Sequence, residues 1–276
     1  MKYQLRDYQK KASDAAVMCF KMKSGRNGLL VLPTGAGKSL IIADIAARLE
    51  EPLIVFQPNK EILEQNFAKL QTYGIWDCSI YSASVGRKEI SRITFATIGS
   101  VIRHMKDFQH FKNILIDECH LVKPSDGMYK RFFEQAERRI VGLTATPYRL
   151  YSCMNGSMLK FLTRTRPRVF SQVLYYCQVS ELLAKGFLSR LKYYDVTRID
   201  LTKVRRNSSG ADFDDASLSD EFRRVDLYGY LISIVKRLLH PKVGGARKGM
   251  LVFTRFTAEA EMLAREIPDS AVVSAD

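Results

Sequence analysis

The segment that most constrains this chain is Leu29-Leu-Val-Leu-Pro-Thr-Gly-Ala-Gly-Lys-Ser39. Its unbroken apolar start reads as a strand buried on both faces, and a two-glycine turn and a helix start follow at once. Such a strand needs neighbours at both edges and helices above and below, so the segment demands an α/β sheet. Residues 28–147 supply the rest. Further apolar runs at Leu53-Phe56, Thr94-Ala96, Ile114-Ile116 and Val141-Leu143 alternate with amphipathic stretches near 38–50, 59–72, 98–106 and 128–137. That alternation predicts a parallel sheet with helices on both faces, in a first domain over residues 1–150.

The turn has a chemistry of its own. Gly35 and Gly37 allow backbone N–H groups to point inward around phosphate oxygens, at the positive end of the following helix. Pro33, Thr34 and Ala36 complete the loop, Lys38 is placed to reach β- and γ-phosphates, and Ser39 to ligate magnesium. Leu32 stands where the strict G-x-x-x-x-G-K-[ST] pattern has its first glycine. A nucleoside triphosphate loop also needs an acid on a neighbouring strand, and Asn113-Ile-Leu-Ile-Asp-Glu-Cys-His120 provides one. Asp117 is the candidate holder of Mg2+, and Glu118 the candidate base for an attacking water. His120, two residues further on, is a candidate for coupling.

Charge narrows the class of partner. The 43 Lys and Arg outnumber the 29 Asp and Glu, leaving a formal net charge of +14. So basic a chain suits a polyanion, either nucleic acid or an anionic membrane surface. No apolar stretch approaches the roughly 18 residues of a membrane span. The N-terminal residues carry no apolar signal segment. The five cysteines, Cys19, Cys78, Cys119, Cys153 and Cys177, are scattered without a C-x-x-C pair, which points to a reducing cytoplasm and gives no zinc signature.

From Lys160 to Arg206 eleven cations face three acids, with Tyr175, Tyr176, Phe187, Tyr193 and Tyr194 among them. Cations such as Arg164, Arg166 and Arg168, with aromatic faces nearby, suit single-stranded or branched nucleic acid. A solvated basic face over core aromatics explains the same composition. Residues 151–219 therefore read as a basic insertion or linker, whose acidic run Asp212 to Glu221 is a solvated loop or helix start. A helix over 220–239, strand Met250-Thr254, helix Thr257-Glu266 and strand Ala271-Ser274 predict a second α/β domain over 220–276. About 30 residues of strand-helix-strand cannot bury a core alone, so that domain reads as begun and not completed.

With these residues in view, the chain resembles the superfamily 2 helicases and translocases of the DExH group. It is most similar to the RadD-like DNA-repair branch and the helicase subunits of type III restriction systems. The resemblance implies that the sheet is RecA-like. It also implies that Leu5-Arg-Asp-Tyr-Gln9 reads adenine, through Gln9 with Arg6 nearby. Gln57-Pro-Asn-Lys-Glu-Ile-Leu-Glu-Gln65 and Thr94-Phe-Ala-Thr-Ile-Gly-Ser100 look like loops that touch a nucleic-acid backbone, through Pro58, Asn59, Lys60 and Thr97. Gly142-Leu-Thr-Ala-Thr-Pro147 looks like the coupling motif, with Thr144 and Thr146 linking phosphate state to domain movement. Leu251-Val-Phe-Thr254 looks like the opening strand of the second RecA-like domain. The family's late motifs with their arginine finger have no counterpart in these 276 residues. ATP and Mg2+ are the implied cofactors, and an ATP-dependent DNA helicase or translocase of repair or restriction is the implied activity. An RNA helicase, or a nucleic-acid-binding ATP switch with little turnover, remain the alternatives.

Overall fold

The structure is a computed structural model that describes residues 4–22, 26–153, 156–191, 193, 199–208, 210, 212–242, 245, 247 and 249–274. It divides into two compact units, Met1–Leu191 and Lys192–Asp276.

The first unit is built on strands β1 (Gly28–Val31), β2 (Leu53–Phe56), β3 (Cys78–Ser82), β4 (Arg87–Lys88), β5 (Ile93–Ala96), β6 (Asn113–Ile116) and β7 (Arg139–Thr144). A hairpin follows, β8 (Tyr148–Cys153) with β9 (Gly156–Phe161), and then β10 (Gln172–Tyr176). Among the described residues one sheet runs in the order β10-β1-β7-β6-β2-β5-β3-β4, with only β4 antiparallel to its neighbour. Successive side chains alternate between two cores, as a strand's period of two requires. Leu53 and Val55 join one core, shared with helices α1 (Asp7–Lys21), α2 (Lys38–Arg48) and α3 (Lys60–Thr72). Ile54 and Phe56 join the other, under α4 (Ile98–Val101) and α5 (Met128–Phe133). The expected RecA-like α/β sheet, covered on both faces, is therefore present, and α6 (Val179–Ala184) completes the unit.

The first unit extends past the boundary drawn at residue 150. β10 pairs in parallel with β1 along Gly28 to Val31, and Cys177 N donates to Val31 O at 3.0 Å. Without it, the strand leading into the glycine turn would be an open edge with unpaired backbone groups. The run Gln172–Tyr176 sits inside a basic stretch, and its composition masks a strand signal that is only five residues long.

The second unit holds α7 (Asp215–Arg224), α8 (Leu227–Leu239) and α9 (Thr257–Glu266) around Val204, Leu218 and Phe222. The single helix expected over 220–239 is broken at Asp226, which takes a left-handed conformation (φ 47°) and accepts from Gly229 N at 3.3 Å. The acidic run is a helix start: Asp214 caps α7 through Ser217 N, and Asp212 and Asp215 pair with Arg255. The strands expected at 250–254 and 271–274 are not formed. A strand exists only against a partner's hydrogen bonds, and none pairs with these segments among the described residues. Leu251, Phe253 and Val273 are left 86%, 92% and 95% exposed.

One close approach fixes how the strands meet the chain that crosses them. A Cβ at Gly142 of β7 would lie 2.6 Å from Cys119 Sγ and 2.8 Å from Phe170 Cε1. Gly142→Ala is therefore expected to destabilise the protein by about 1–3 kcal/mol through overpacking. A clear fall in thermal midpoint measures it; an unchanged midpoint would show that Cys119 and Phe170 give way freely.

Candidate functional site

The glycine turn leaves β1 at the carboxyl edge of the sheet. Leu32 N donates to Thr144 O at 2.9 Å, tying the turn to the end of β7. Gly35 and Gly37 have φ of +81° and +78°, and Gly37 is the cap from which α2 starts. Residues with side chains avoid that region, so the path of the loop depends on glycine. The start of α1 braces it from outside: Tyr8 Oη and Gln9 Nε2 donate to Ala36 O at 2.8 and 2.9 Å. A Cβ at Gly37 would come within 2.5 Å of Gln9 Nε2. Gln9 Oε1 accepts from Arg6 N at 2.9 Å, and the Arg6 guanidinium lies 4.0 Å from the Phe187 ring centre. Arg6 and Gln9 are thus brought to the loop, with both ends of the Gln9 amide engaged.

The acids arrive from β6, two places across the sheet from β1. Lys38 Nζ and Glu118 Oε1 are 2.5 Å apart, with both side chains largely shielded from solvent. Glu118 takes a left-handed backbone conformation (φ 47°), which costs a residue with a Cβ about 1–3 kcal/mol and is met most often where function requires it. Its other oxygen lies 3.3 Å from His120 Nδ1. His120 Nδ1 is in turn 3.0 Å from Thr144 Oγ1, which accepts from Thr146 N at 3.0 Å. Lys38, Glu118, His120, Thr144 and Thr146 therefore form one connected chain of contacts.

Asp117 is only 6% exposed. Its Oδ1 accepts from Glu118 N at 3.0 Å and its Oδ2 from Asn66 Nδ2 at 3.2 Å. Burial raises its carboxyl to about 6; the neighbouring Glu118 adds to the shift, and Lys38 opposes it. Ser39 is half-buried in the first turn of α2. A carboxylate and a hydroxyl are hard oxygen donors, and beside phosphate oxygens they suit Mg2+, which takes few protein ligands. The left-handed glycines at 35 and 37, followed at once by the start of α2, suit the phosphates themselves. Tyr8, Gln57 and Asn66 also shape this site: Tyr8 and Gln57 fall within segments that the resemblance marks, with no role of their own read there, and Asn66 lies one residue beyond the second segment. The only hint in the sequence is Asn66, a polar residue on the apolar stripe Leu63, Phe67 and Leu70 of α3.

Pro58 and Thr97 line a cleft of about 480 Å³ together with Gln57, Asp117 and Glu118. Thr97 Oγ1 is hydrogen-bonded to Ser82 and Ser100, while Asn59 Oδ1 caps α3 through Ile62 N and Lys60 is exposed. Arg164, Arg166 and Arg168 are exposed on the connection between β9 and β10, away from the loop's own contacts. Of the aromatics among these cations, Tyr175 and Phe187 pack on the core, whereas Tyr176 and Tyr193 are exposed. Tyr194 lies outside the described residues.

The family model "Type III restriction enzyme, res subunit" matches residues 2–149, over half of the chain. The DNA 3'-5' translocase XPB2 of Sulfurisphaera tokodaii is 29% identical over 151 residues, covering 54% of this chain and 32% of its own length. The DNA 3'-5' helicase XPB of Mycobacterium tuberculosis is 29% identical over 154 residues, covering 52% of this chain and 27% of its own. The chain thus spans about a third or less of the length of these curated relatives. The crystal structure of the UvsW helicase from bacteriophage T4 is similar at 22% identity and a TM-score of 0.43, over 52% of this chain and 54% of that one.

The environment of Asp117 carries a pH signature. Folded protein keeps this proton up to about pH 6, whereas an unfolded chain releases it near 3.8. The group's contribution is therefore most favourable below 3.8 and is lost as pH rises through 6. Asp117→Asn removes the ionisation but turns its NH2 on one of the two N–H donors, so in EDTA its stability relative to wild type should be lowest at pH 4 and rise by up to about 3 kcal/mol by pH 7.5. Thermal melts at the two pH values decide it; an equal difference at both would contradict the burial effect.

Proposed function

Because the chain belongs to the type III restriction enzyme, res subunit family, we propose that it couples ATP hydrolysis to movement along DNA, as an ATP-dependent helicase or translocase. The observation that carries this reading is the connected chain from Lys38 through Glu118 and His120 to Thr144. It joins a phosphate cradle, a base and the end of a strand that leads out of the site. The relatives named as DNA translocase and DNA helicase favour DNA as the track.

Glu118 is paired with Lys38. A triphosphate entering the cradle competes for the Lys38 ammonium, so that Glu118 Oε1 is freed to accept a proton from water while Oε2 stays beside His120. Asp117 and Ser39 would hold Mg2+ against the phosphates, where it neutralises charge developing on their oxygens. His120 senses the position of Glu118, and Thr144 passes it to Thr146 at the start of the following segment. Gln9 and Arg6 would meet the base once Gln9 turns from Ala36. Pro58, Asn59, Lys60 and Thr97 would take the nucleic-acid backbone beside the same cleft. Arg164, Arg166 and Arg168 would add phosphate contacts to a single or branched strand. The cytoplasm is the proposed setting, in keeping with Cys19, Cys78, Cys119 and Cys177 being free thiols.

Steady-state ATP hydrolysis, measured with single-stranded DNA, forked DNA and RNA, tests this function. DNA should stimulate turnover more than RNA, and Glu118→Gln should lower the stimulated rate by about 10²–10⁴. Stimulation by RNA equal to that by DNA, or an undiminished Glu118→Gln, would contradict it. For the basic connection, replacing Arg164, Arg166 and Arg168 together by Gln should weaken single-stranded DNA binding. The same change should reduce the log–log salt slope by about 2, at roughly 0.7 per lost phosphate contact. An unchanged slope would remove these arginines from the interface.

A further inference from the structure

Asn66 is 4% exposed and lies on the core-facing side of α3, where a side-chain amide is costly unless its hydrogen bonds are met. Its Nδ2 makes two of them: to Asp117 Oδ2 at 3.2 Å and to Gln57 Oε1 at 3.1 Å. An amide nitrogen carries two hydrogens, so both bonds form together. The direction of this short chain is set by charge. An ionised carboxylate accepts and never donates, so Asn66 must turn its nitrogen, not its oxygen, towards Asp117. Gln57 must then offer its oxygen to the same nitrogen. The consequence is visible at the far end: Gln57, 1% exposed, is left with a buried Nε2 that has no partner. An unmet buried N–H costs about 1–3 kcal/mol. The arrangement bears that cost while the bond to Asp117 stays intact.

Among the described residues, the same carboxylate is otherwise held by Glu118 N at Oδ1. One bond at Oδ1 leaves the plane of the carboxylate to be set, and the bond from Asn66 to Oδ2 sets it. Gln57 in turn is anchored by its backbone, whose N–H donates to Ala96 O at 3.0 Å at the end of β5. The backbone of Gln57 is therefore held to the sheet, and its buried side chain offers Oε1 to Asn66 from there.

We propose that Asn66 is a positioning residue for Asp117, fixing the carboxylate in the orientation that accepts Mg2+ beside bound nucleotide, with Gln57 as its brace. The inference rests on the nucleotide-binding reading above and deepens it by naming the residue that sets metal affinity. Groups that orient a metal-binding carboxylate in this way are commonly worth 10–100-fold in metal affinity.

The test is binding of a fluorescent ATP analogue, titrated with Mg2+ and repeated in EDTA. Asn66→Leu keeps the volume and the apolar surroundings but removes the donor. It should raise half-saturating Mg2+ at least tenfold while leaving affinity in EDTA unchanged. Gln57→Leu leaves Asn66 in place without its brace, and should shift the Mg2+ requirement in the same direction by less. A purely structural role would weaken binding equally with and without Mg2+, and that result, or no change in either variant, would overturn the proposal. Wild-type protein whose nucleotide binding ignores Mg2+ would overturn the functional reading and this inference with it; a normal wild type with unaltered variants overturns this inference alone.

Discussion

The pair Lys38–Glu118 joins residues 80 positions apart in sequence at a separation of 2.5 Å. At an effective dielectric near 20, two unit charges about 4 Å apart attract by ~4 kcal/mol, much of which desolvation offsets. The pair is therefore weak evidence of stability and strong evidence of placement. For it to form, the carboxyl ends of β1 and β6 must lie at one edge of the sheet. Parallel strands are the arrangement that puts both ends there, and parallel strands must be crossed by helices and covered on both faces. The buried strands, the helices of both faces and the glycine turn all follow from meeting that requirement.

The strand order places Thr144, the proposed coupling residue, between the phosphate loop and the acids. β7 lies between β1 and β6, so the segment that leaves its end passes between the phosphate loop and the acids. Thr144 lies at that end, its carbonyl holding Leu32 N and its hydroxyl facing His120 and Thr146. One residue thus touches the loop through its backbone and the acid side through its hydroxyl. Gly142, two residues earlier, is what lets the chain around Cys119 cross close enough to make this possible.

Much of this was legible before any coordinates. Leu29 to Ser39 and Asn113 to His120 carry their own secondary-structure and chemical signals, because apolar runs, glycines and adjacent acids are local features. β2, β5, β6 and β7 fall at or within a residue or two of their expected ends for the same reason. What stayed hidden depends on distant partners. β10 is a strand because β1 needs an edge, and no pattern within Gln172–Tyr176 says so. Leu251–Phe253 has the composition of a strand but, among the described residues, no neighbour pairs with it. Asn66 acts through Asp117, 51 positions away and outside any motif, and Tyr8, although within Leu5–Gln9, carries no sign in the sequence of its bond to Ala36, 28 positions on.

This edge of the sheet is proposed as a triphosphate site organised around Lys38. Calorimetric titration of the protein with ATP and Mg2+ addresses it without requiring turnover or nucleic acid. One nucleotide should bind per chain, and binding should be lost in Lys38→Ala although that variant melts as a folded protein. Binding that survives the loss of Lys38, or a folded wild type that takes up no ATP, would contradict it.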